Sequence, residues 1–139
     1  MRDPVQTTVR RLGPGDEEVV RRLAEREPQT ALLSDDRTIF LAAFQNDDPV
    51  GFVFGYELPR RHGDASILFI YELDVDEAFQ RRGVATRLMT ELARTAKTRG
   101  IAEAFVLTEP DNTAANALYE SVGGTSSEVV MWDYRYADS

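Results

Sequence analysis

The sequence predicts an α+β fold built on a mixed, mostly antiparallel sheet. Three runs rich in aromatic and β-branched residues follow one another at Thr38–Gln45, 50–58 and 66–75, as expected of an antiparallel meander. The turn-forming residues 46–49 separate the first two runs. Residues 84–100 then repeat apolar side chains at helical spacing. A meander followed by a long amphipathic helix is typical of α+β domains.

The residues before the meander predict a strand and a helix. Residues 7–12 read as a first strand. After a glycine and proline break, Asp16 stands at an N-cap position, and residues 16–26 predict the first helix. Residues 27–36 are polar and lack periodicity, so they form either a loop or a second, irregular helix.

The last third of the chain predicts two more strands and a helix. Residues 102–108 form a strand, and the strand–helix–strand order predicts a right-handed crossover that makes it parallel to 66–75. Residues 113–122 predict a short helix, and 128–136 predict a last strand with Trp132 in the core. The whole chain, 1–139, has no repeat or linker, so we expect a single domain.

Composition narrows the function classes. Sixteen basic and 24 acidic residues give a net charge of −8, which disfavours nucleic acid and favours a polycationic amine as a partner. The chain has no cysteine and one histidine, His62, so we expect no metal site. The longest apolar run, 39–44, is too short to span a membrane, so we expect a cytoplasmic protein without a membrane partner.

The segment 80–86 has the features of an anion-binding helix start. A helix N-terminus offers free amide groups and a partial positive charge, which together can hold a diphosphate. Gly83 lets the main chain approach a ligand, and Arg81 or Arg82 can add charged contacts. Taken alone, the pattern also fits an ordinary helix start with solvated arginines.

Together with two further stretches, this segment matches the motifs of a known family. Residues 80–85 read as glutamine, two variable residues, glycine, one variable residue and alanine, and 73–75 and 112–119 add two further stretches in the same order. In these features the chain resembles the GNAT superfamily of acetyl-CoA-dependent N-acetyltransferases. A narrower resemblance, to the class I aminoglycoside 3-N-acetyltransferases, rests on 56–60, 70–73 and 129–133.

The resemblance implies acetyl-CoA as co-substrate and a GNAT-like sheet that splays between its two central parallel strands. The amides of 82–86 would hold the diphosphate, the main chain of Leu73 and Val75 would pair with the pantetheine arm, and Tyr119 would protonate the departing thiolate. The full donor-binding set that we expect is Leu73, Asp74, Val75, Gln80, Arg81, Arg82, Gly83, Val84, Ala85, Thr86, Asn112, Ala115 and Tyr119.

Three carboxylates are candidates for the acceptor side. An amine acceptor is protonated at neutral pH, so a base is required. Strand alternation places Glu72 and Asp74 on one face and Tyr71 on the other, and Glu109 ends the neighbouring parallel strand. We expect Glu72 or Glu109 to act as base, and all three acids to contact the substrate. Alternatively, Glu72 pairs with a core arginine, Glu109 is simply solvated, and Tyr119 is a core residue.

Three functions fit these residues. The favoured one is acetylation of an aminoglycoside at its 3-amino group. The second keeps the donor but acetylates a polyamine, a small metabolite or a peptide amine, and the third is a non-catalytic acyl-CoA-binding module. A homodimer would cover the exposed edge that the last strand leaves.

Overall fold

A computed structural model of the chain describes residues 6–138 and contains one five-stranded sheet of order β1-β2-β3-β4-β5. The first four strands pair antiparallel with their neighbours, and β4 pairs parallel with β5. The predicted α+β class, the meander and the parallel strand are therefore confirmed. The strands are β1 (Thr7–Arg11), β2 (Thr38–Gln45), β3 (Asp48–Leu58), β4 (Ile67–Val75) and β5 (Glu103–Val106).

Three α-helices flank the sheet: α1 (Glu17–Leu23), α2 (Val84–Thr98) and α3 (Thr113–Ser121). Helix α1 stops before the predicted Arg26 because Ala24 is already extended, with a ψ of 145°. The segment 27–36 contains a short 3-10 helix, Thr30–Ser34, so the irregular helix was the better of the two alternatives.

Each face of the sheet carries its own apolar cluster. On one face, Leu88 and Leu92 of α2 pack against Leu41, Val53 and Leu68 of the strands. On the other face, α1 contributes Val20 to a cluster dominated by phenylalanine, which contains Phe40, Phe44, Phe52 and Phe54. Strand β2 is buried along its whole length because both faces above it are covered.

The register between β3 and β4 shifts between Phe54 and Gly55. Phe54 lies opposite Glu72, whereas Gly55 lies opposite Ile70, so Tyr71 is the extra residue of a β-bulge. A Cβ at position 55 would lie 2.4 Å from the Phe69 carbonyl oxygen, so only glycine fits this close approach.

The parallel pairing of β4 and β5 ends early. Its last pair is Ile70 with Val106, although β4 continues to Val75. Residues 71–75 thus have no strand partner on the β5 side within the described chain. The two parallel strands pair at one end and leave β4 open at the other.

The predicted last strand at 128–136 is wrong for this structure, and so is the core position of Trp132. Residues 125–138 form no strand, and none of them makes a backbone hydrogen bond to another described residue. Trp132 is 78% exposed. A strand requires a partner for its N–H and C=O groups as well as a suitable composition, and this segment pairs with no described strand. As a result β5 is an edge strand of the described sheet.

Candidate active site

The predicted anion-binding segment forms the start of α2. Gly83 is the N-cap residue, with a φ of 80°, and no side chain caps the helix. Arg81 also has a positive φ, 65°, which folds the preceding loop tightly. The first turn of α2 contains no acidic residue, and the first-turn amides of an α-helix have no partner within the helix. The helix start thus presents free N–H groups and a positive partial charge.

The Arg82 side chain and the free space at Gly83 also favour the binding of an anion at this helix start. The Arg82 guanidinium lies over the Phe79 ring, 5.7 Å from its centroid, which holds one cation beside the helix start. A Cβ added at Gly83 would meet no atom within 4 Å, so space exists for a ligand above the main chain. An anion such as a diphosphate fits this corner of a chain that is acidic overall.

The open flank of β4 begins beside this helix start. The Asp76 N–H donates to a β3 carbonyl at 2.8 Å, so by alternation the peptide groups of Val75 and Leu73 point to the open side. The Val75 carbonyl accepts from Gln80 Nε2 at 2.9 Å, and the Val75 N–H donates to Asp74 Oδ1 at 3.0 Å. The predicted donor contact at Val75 therefore competes with two local side chains.

The bulge changes which residues of β4 lie on the phenylalanine-rich face of the sheet. The register places Glu72 opposite Phe54 and Asp74 opposite Phe52, so both acids lie on the phenylalanine-rich face as alternation predicts. The prediction for Tyr71 is wrong, because the bulge turns it to that same face. Its ring lies 5.5 Å from Phe54 and 5.7 Å from Tyr56, centroid to centroid.

The environment of Glu72 favours its protonated form. Partial burial beside the aromatic rings raises the pKa of Glu72, and the carboxylates of Asp74 and Glu25 raise it further. The pKa of Tyr56 is also raised, first by burial and then by its neighbours Tyr71 and Glu72. A carboxylate whose pKa is raised is a stronger base than an ordinary surface carboxylate, so it is better suited to accept a proton.

No arginine neutralises Glu72 among residues 6–138, so the alternative in which it pairs with a core arginine is wrong. Arg99 instead donates to Glu57 Oε1 at 2.7 Å and to Asp36 Oδ2 at 3.1 Å. This pairing, with the charge of Arg99, lowers the pKa of Asp36; at Glu57 burial acts in the opposite direction, but the contacts with Arg99 and Ser66 lower its pKa overall.

Helix α3 carries the remaining predicted residues. Tyr119 is half-buried but belongs to neither apolar cluster, and burial raises the pKa of its phenol, which therefore stays protonated at neutral pH. Asn112 caps the helix by accepting from the Ala115 N–H at 3.1 Å. Glu109 is exposed, and its carbonyl accepts from Asn116 Nδ2 at 3.0 Å.

Sequence reasoning missed that Tyr71 and Tyr56 share the face of Glu72, and that Glu25 lies close enough to raise the pKa of Glu72. Gly55 within an otherwise aromatic strand was the available signal, because an interior glycine often marks a bulge. Glu25 follows α1 in the chain, and no pattern in the sequence connects it to β4.

Two further observations concern metals and membranes. Within residues 6–138, no group of three or more histidine or acidic side chains is arranged to hold a metal ion. No helix in the same part of the chain is long and apolar enough to cross a bilayer.

Comparison with known families identifies the class of this protein. The profile of the Acetyltransferase (GNAT) family matches residues 8–124, most of the chain. The chain therefore belongs to the GNAT family of acetyltransferases, as its motifs suggested. Members of this family use acetyl-CoA.

Two kinds of curated relative match the chain over part of its length. The L-2,4-diaminobutyric acid acetyltransferase of Streptomyces coelicolor is 38% identical over 74 residues, 52% of this chain and 42% of the relative. The [ribosomal protein bS18]-alanine N-acetyltransferase of Haemophilus ducreyi is 41% identical over 54 residues, 39% of this chain and 37% of the relative. The chain thus spans less than half the length of these relatives.

Solved structures match over nearly the whole chain. An aminoglycoside acetyltransferase from an uncultured soil metagenomic sample, in complex with trehalose, has a TM-score of 0.86 at 22% identity and covers 95% of this chain and 97% of its own. A second such enzyme from a soil metagenomic sample has a TM-score of 0.85 at 29% identity, covering 95% and 99%. AAC(6')-Iy, bound to a bisubstrate analogue of coenzyme A and acetylneamine, has a TM-score of 0.78 at 20% identity, covering 95% and 99%.

Proposed function

We propose that the chain, as a single domain of residues 1–139, transfers the acetyl group of acetyl-CoA to a primary amine of a small polycationic acceptor, with an aminoglycoside as the favoured class. One observation carries the proposal. The open flank of β4 joins an anion-binding helix start at one end to an unneutralised carboxylate, Glu72, at the other. We place the reaction in the cytoplasm.

Acetyl-CoA, the donor, would bind along the open flank of β4. The amides of residues 82–86 would hold the diphosphate, with Arg81 and Arg82 adding charge. The peptide groups of Leu73 face the open side and would bind the pantetheine arm as an added strand would. Gln80 and Asp74 would contribute indirectly, because their side chains hydrogen-bond to the peptide groups of Val75 and fix them. The pantetheine arm would pass between the starts of α2 and α3, which contain Val84, Ala85, Asn112 and Ala115.

Glu72 is our candidate for the base. When bound, acetyl-CoA supplies an acyl thioester that an unprotonated amine can attack. An acceptor amine with a pKa of about 10.4 is almost wholly protonated at neutral pH. Glu72, directly or through a water molecule, takes that proton, while Asp74 and the ring of Tyr71 offer a second charge and a cation–π surface to the remaining ammonium groups.

Tyr119 is our candidate for the acid. Its phenol has a raised pKa and makes no hydrogen bond to another described residue, so its proton is available to the departing sulfur. Glu109 follows β5, across the gap from β4, and is exposed. We assign it to acceptor binding, with the base role as its alternative.

The choice of acceptor rests on charge and on the relatives. The net charge of −8, with Glu72, Asp74 and Glu25 near one another, favours an acceptor carrying several cations over one with a single amine. The structural neighbours named above are aminoglycoside acetyltransferases, whereas the curated relatives act on diaminobutyric acid or a ribosomal-protein alanine. Among the solved structures described above, the regiochemistry that is named is 6′, so the 3-amino group rests only on the narrower resemblance.

A thiol-release assay with acetyl-CoA tests the proposal. The panel contains kanamycin-type aminoglycosides, spermidine, L-2,4-diaminobutyrate and an alanine-terminated peptide. We expect the highest kcat/KM with an aminoglycoside, and mass spectrometry with NMR of the product then decides between 3- and 6′-acetylation. Preference for another amine overturns the acceptor class. Tight binding of acetyl-CoA without turnover on any amine overturns catalysis and favours the acyl-CoA-binding module.

A further inference from the structure

Tyr56 carries a hydroxyl group that the packing of the fold does not use. Its ring continues the row of Phe52 and Phe54 on β3, but those two residues are buried whereas Tyr56 is partly exposed. The hydroxyl makes no hydrogen bond to another described residue, and its oxygen is not among the fully buried polar atoms without a partner. The oxygen is therefore open to solvent. A phenylalanine would fill the same place, so packing does not account for the hydroxyl.

Two aromatic neighbours fix the direction of the Tyr56 ring. It meets the ring of Phe54 edge-on, at 5.7 Å and 86°, and the ring of Tyr71 edge-on, at 5.7 Å and 75°. Edge contacts on two sides leave the ring little freedom to turn. Because Phe54 lies opposite Glu72, Tyr56 is a diagonal neighbour of that carboxylate on the same face of the sheet. The hydroxyl of Tyr56 and the carboxylate of Glu72 thus border the same open space.

The two groups differ in what they can do with an amine. Burial raises the pKa of Tyr56, and its neighbours Tyr71 and Glu72 raise it further, so the phenol keeps its proton at neutral pH. A neutral phenol oxygen accepts a hydrogen bond from an N–H but does not take up its proton. Glu72, with Asp74 and Glu25 as its charged neighbours, is a carboxylate that can take up a proton. The pair therefore offers an amine one acceptor that removes a proton and one that leaves it in place.

The open flank of β4 ends level with these two groups. Pairing with β5 stops at Ile70 and leaves residues 71–75 without a strand partner on that side within the described chain. In the proposed function the donor enters from the helix start at Gly83 and runs along this flank, so its thioester would lie beside the bulge. An amine that attacks the thioester there is within reach of both Tyr56 and Glu72.

We propose that Tyr56 makes the site specific for primary amines: its hydroxyl oxygen accepts a hydrogen bond from the N–H that the product keeps, while Glu72 takes the proton that is lost. The assignment rests on the proposed function. As the amine nitrogen bonds to the acyl carbon, the carbon–sulfur bond breaks, and its electron pair leaves with the sulfur, which receives the Tyr119 proton. A primary amine has one N–H for each of the two groups. A secondary amine has only the N–H that goes to Glu72, so it forgoes the contact with Tyr56.

The test compares kanamycin A with a derivative in which every amine carries one methyl group, so that all its amines are secondary and keep their charge. Both compounds are assayed with acetyl-CoA, using the parent chain and Tyr56→Phe. A neutral hydrogen bond is worth about fivefold in a rate constant, so we expect Tyr56→Phe to lower kcat/KM for kanamycin A by about fivefold. The value for the methylated derivative should stay unchanged. The phenyl ring remains in place, so the methyl groups meet the same obstacle in both proteins.

Tyr71→Phe is the matched control, because it removes the other phenol of the same aromatic cluster. It should keep the parent's preference for the primary amines. Partial unfolding of a variant lowers both rate constants equally, so the ratio of the two is insensitive to stability. An unchanged ratio in Tyr56→Phe, or an equal loss in both variants, overturns the role of Tyr56 and leaves the proposed function standing. If the parent acetylates neither compound, the proposed acceptor class is wrong and the role of Tyr56 falls with it.

Discussion

The substitution Gly55→Ala tests whether the bulge at Tyr71 builds the acceptor side of the site. A Cβ at position 55 would lie 2.4 Å from the Phe69 carbonyl oxygen and 3.1 Å from the Ile70 Cα. An ordinary carbon–oxygen contact is roughly 3.3 Å, so β4 has to move by about 1 Å. Both obstructing atoms belong to the backbone, so no side-chain rotation relieves the contact.

The expected magnitudes follow from that displacement. Overpacking costs about 1–3 kcal/mol, and replacing glycine by alanine within a strand returns roughly 0.5–1 kcal/mol. With backbone atoms as obstacles we expect a net loss of about 2 kcal/mol, or about 6 °C in Tm for a chain of this size. A displacement of this size beside the reacting groups can cost roughly 100-fold in rate.

Calorimetry and acceptor kinetics measure the two effects, and Gly51→Ala is the matched control. A Cβ at Gly51 would lie 3.0 Å from the Asp74 carbonyl oxygen, so β4 needs to move much less. We expect Gly55→Ala to lose at least tenfold in kcat/KM for the acceptor while its affinity for coenzyme A changes little. If Gly55→Ala is as stable and active as the parent, or both variants lose equally, the bulge does not position the site.

Four further substitutions test individual residues. Glu72→Gln should abolish the fall in rate that the parent shows as pH drops through the raised pKa of Glu72. It should also raise Tm at pH 7, because the ionised carboxylate opposes folding there, and this gain should fade as pH falls towards about 4.3. Gly83→Asp should bind coenzyme A at least tenfold more weakly than the isosteric Gly83→Asn by calorimetry, since only the former puts a negative charge at the helix start. Tyr119→Phe should lower kcat by about 100-fold with unchanged donor affinity; a full-rate variant would remove the acid role. Arg99→Met should lower Tm at neutral pH, and this loss should disappear on acidification, because Glu57 and Asp36 have lowered pKa values in the folded chain and stabilise it only while ionised.

Local patterns were sufficient for most of the fold. The β-branched and aromatic composition of Thr38–Gln45 and the helical period of Val84–Thr98 report directly on burial, so the meander and α2 were predictable. The helix start at Gly83 was also predictable, because a glycine directly before an amphipathic helix often adopts the positive φ that ends the preceding loop. These are features in which one segment determines its own conformation.

Two features that depend on contacts between separate segments were not predictable. The side of the strand on which Tyr71 lies depends on Gly55, in the neighbouring strand, through the close approach of β3 to β4. The segment 128–136 has the composition of a strand, but whether it becomes one depends on a partner edge that its own sequence does not specify. The composition of this segment allows it to form a strand, but the arrangement of the other strands decides whether it pairs with one.

The bulge accounts for how one short strand could serve both substrates of the proposed reaction. In a regular strand only every second residue points to a given face. With the bulge, the neighbours Tyr71 and Glu72 both reach the phenylalanine-rich face, while the peptide groups of Leu73 remain on the open flank. The proposed acceptor side therefore has an aromatic ring next to its carboxylate, and the proposed donor flank keeps the peptide groups of Leu73. For this reason a change at Gly55 should alter acceptor kinetics without moving the helix start at Gly83, where we propose that the diphosphate binds.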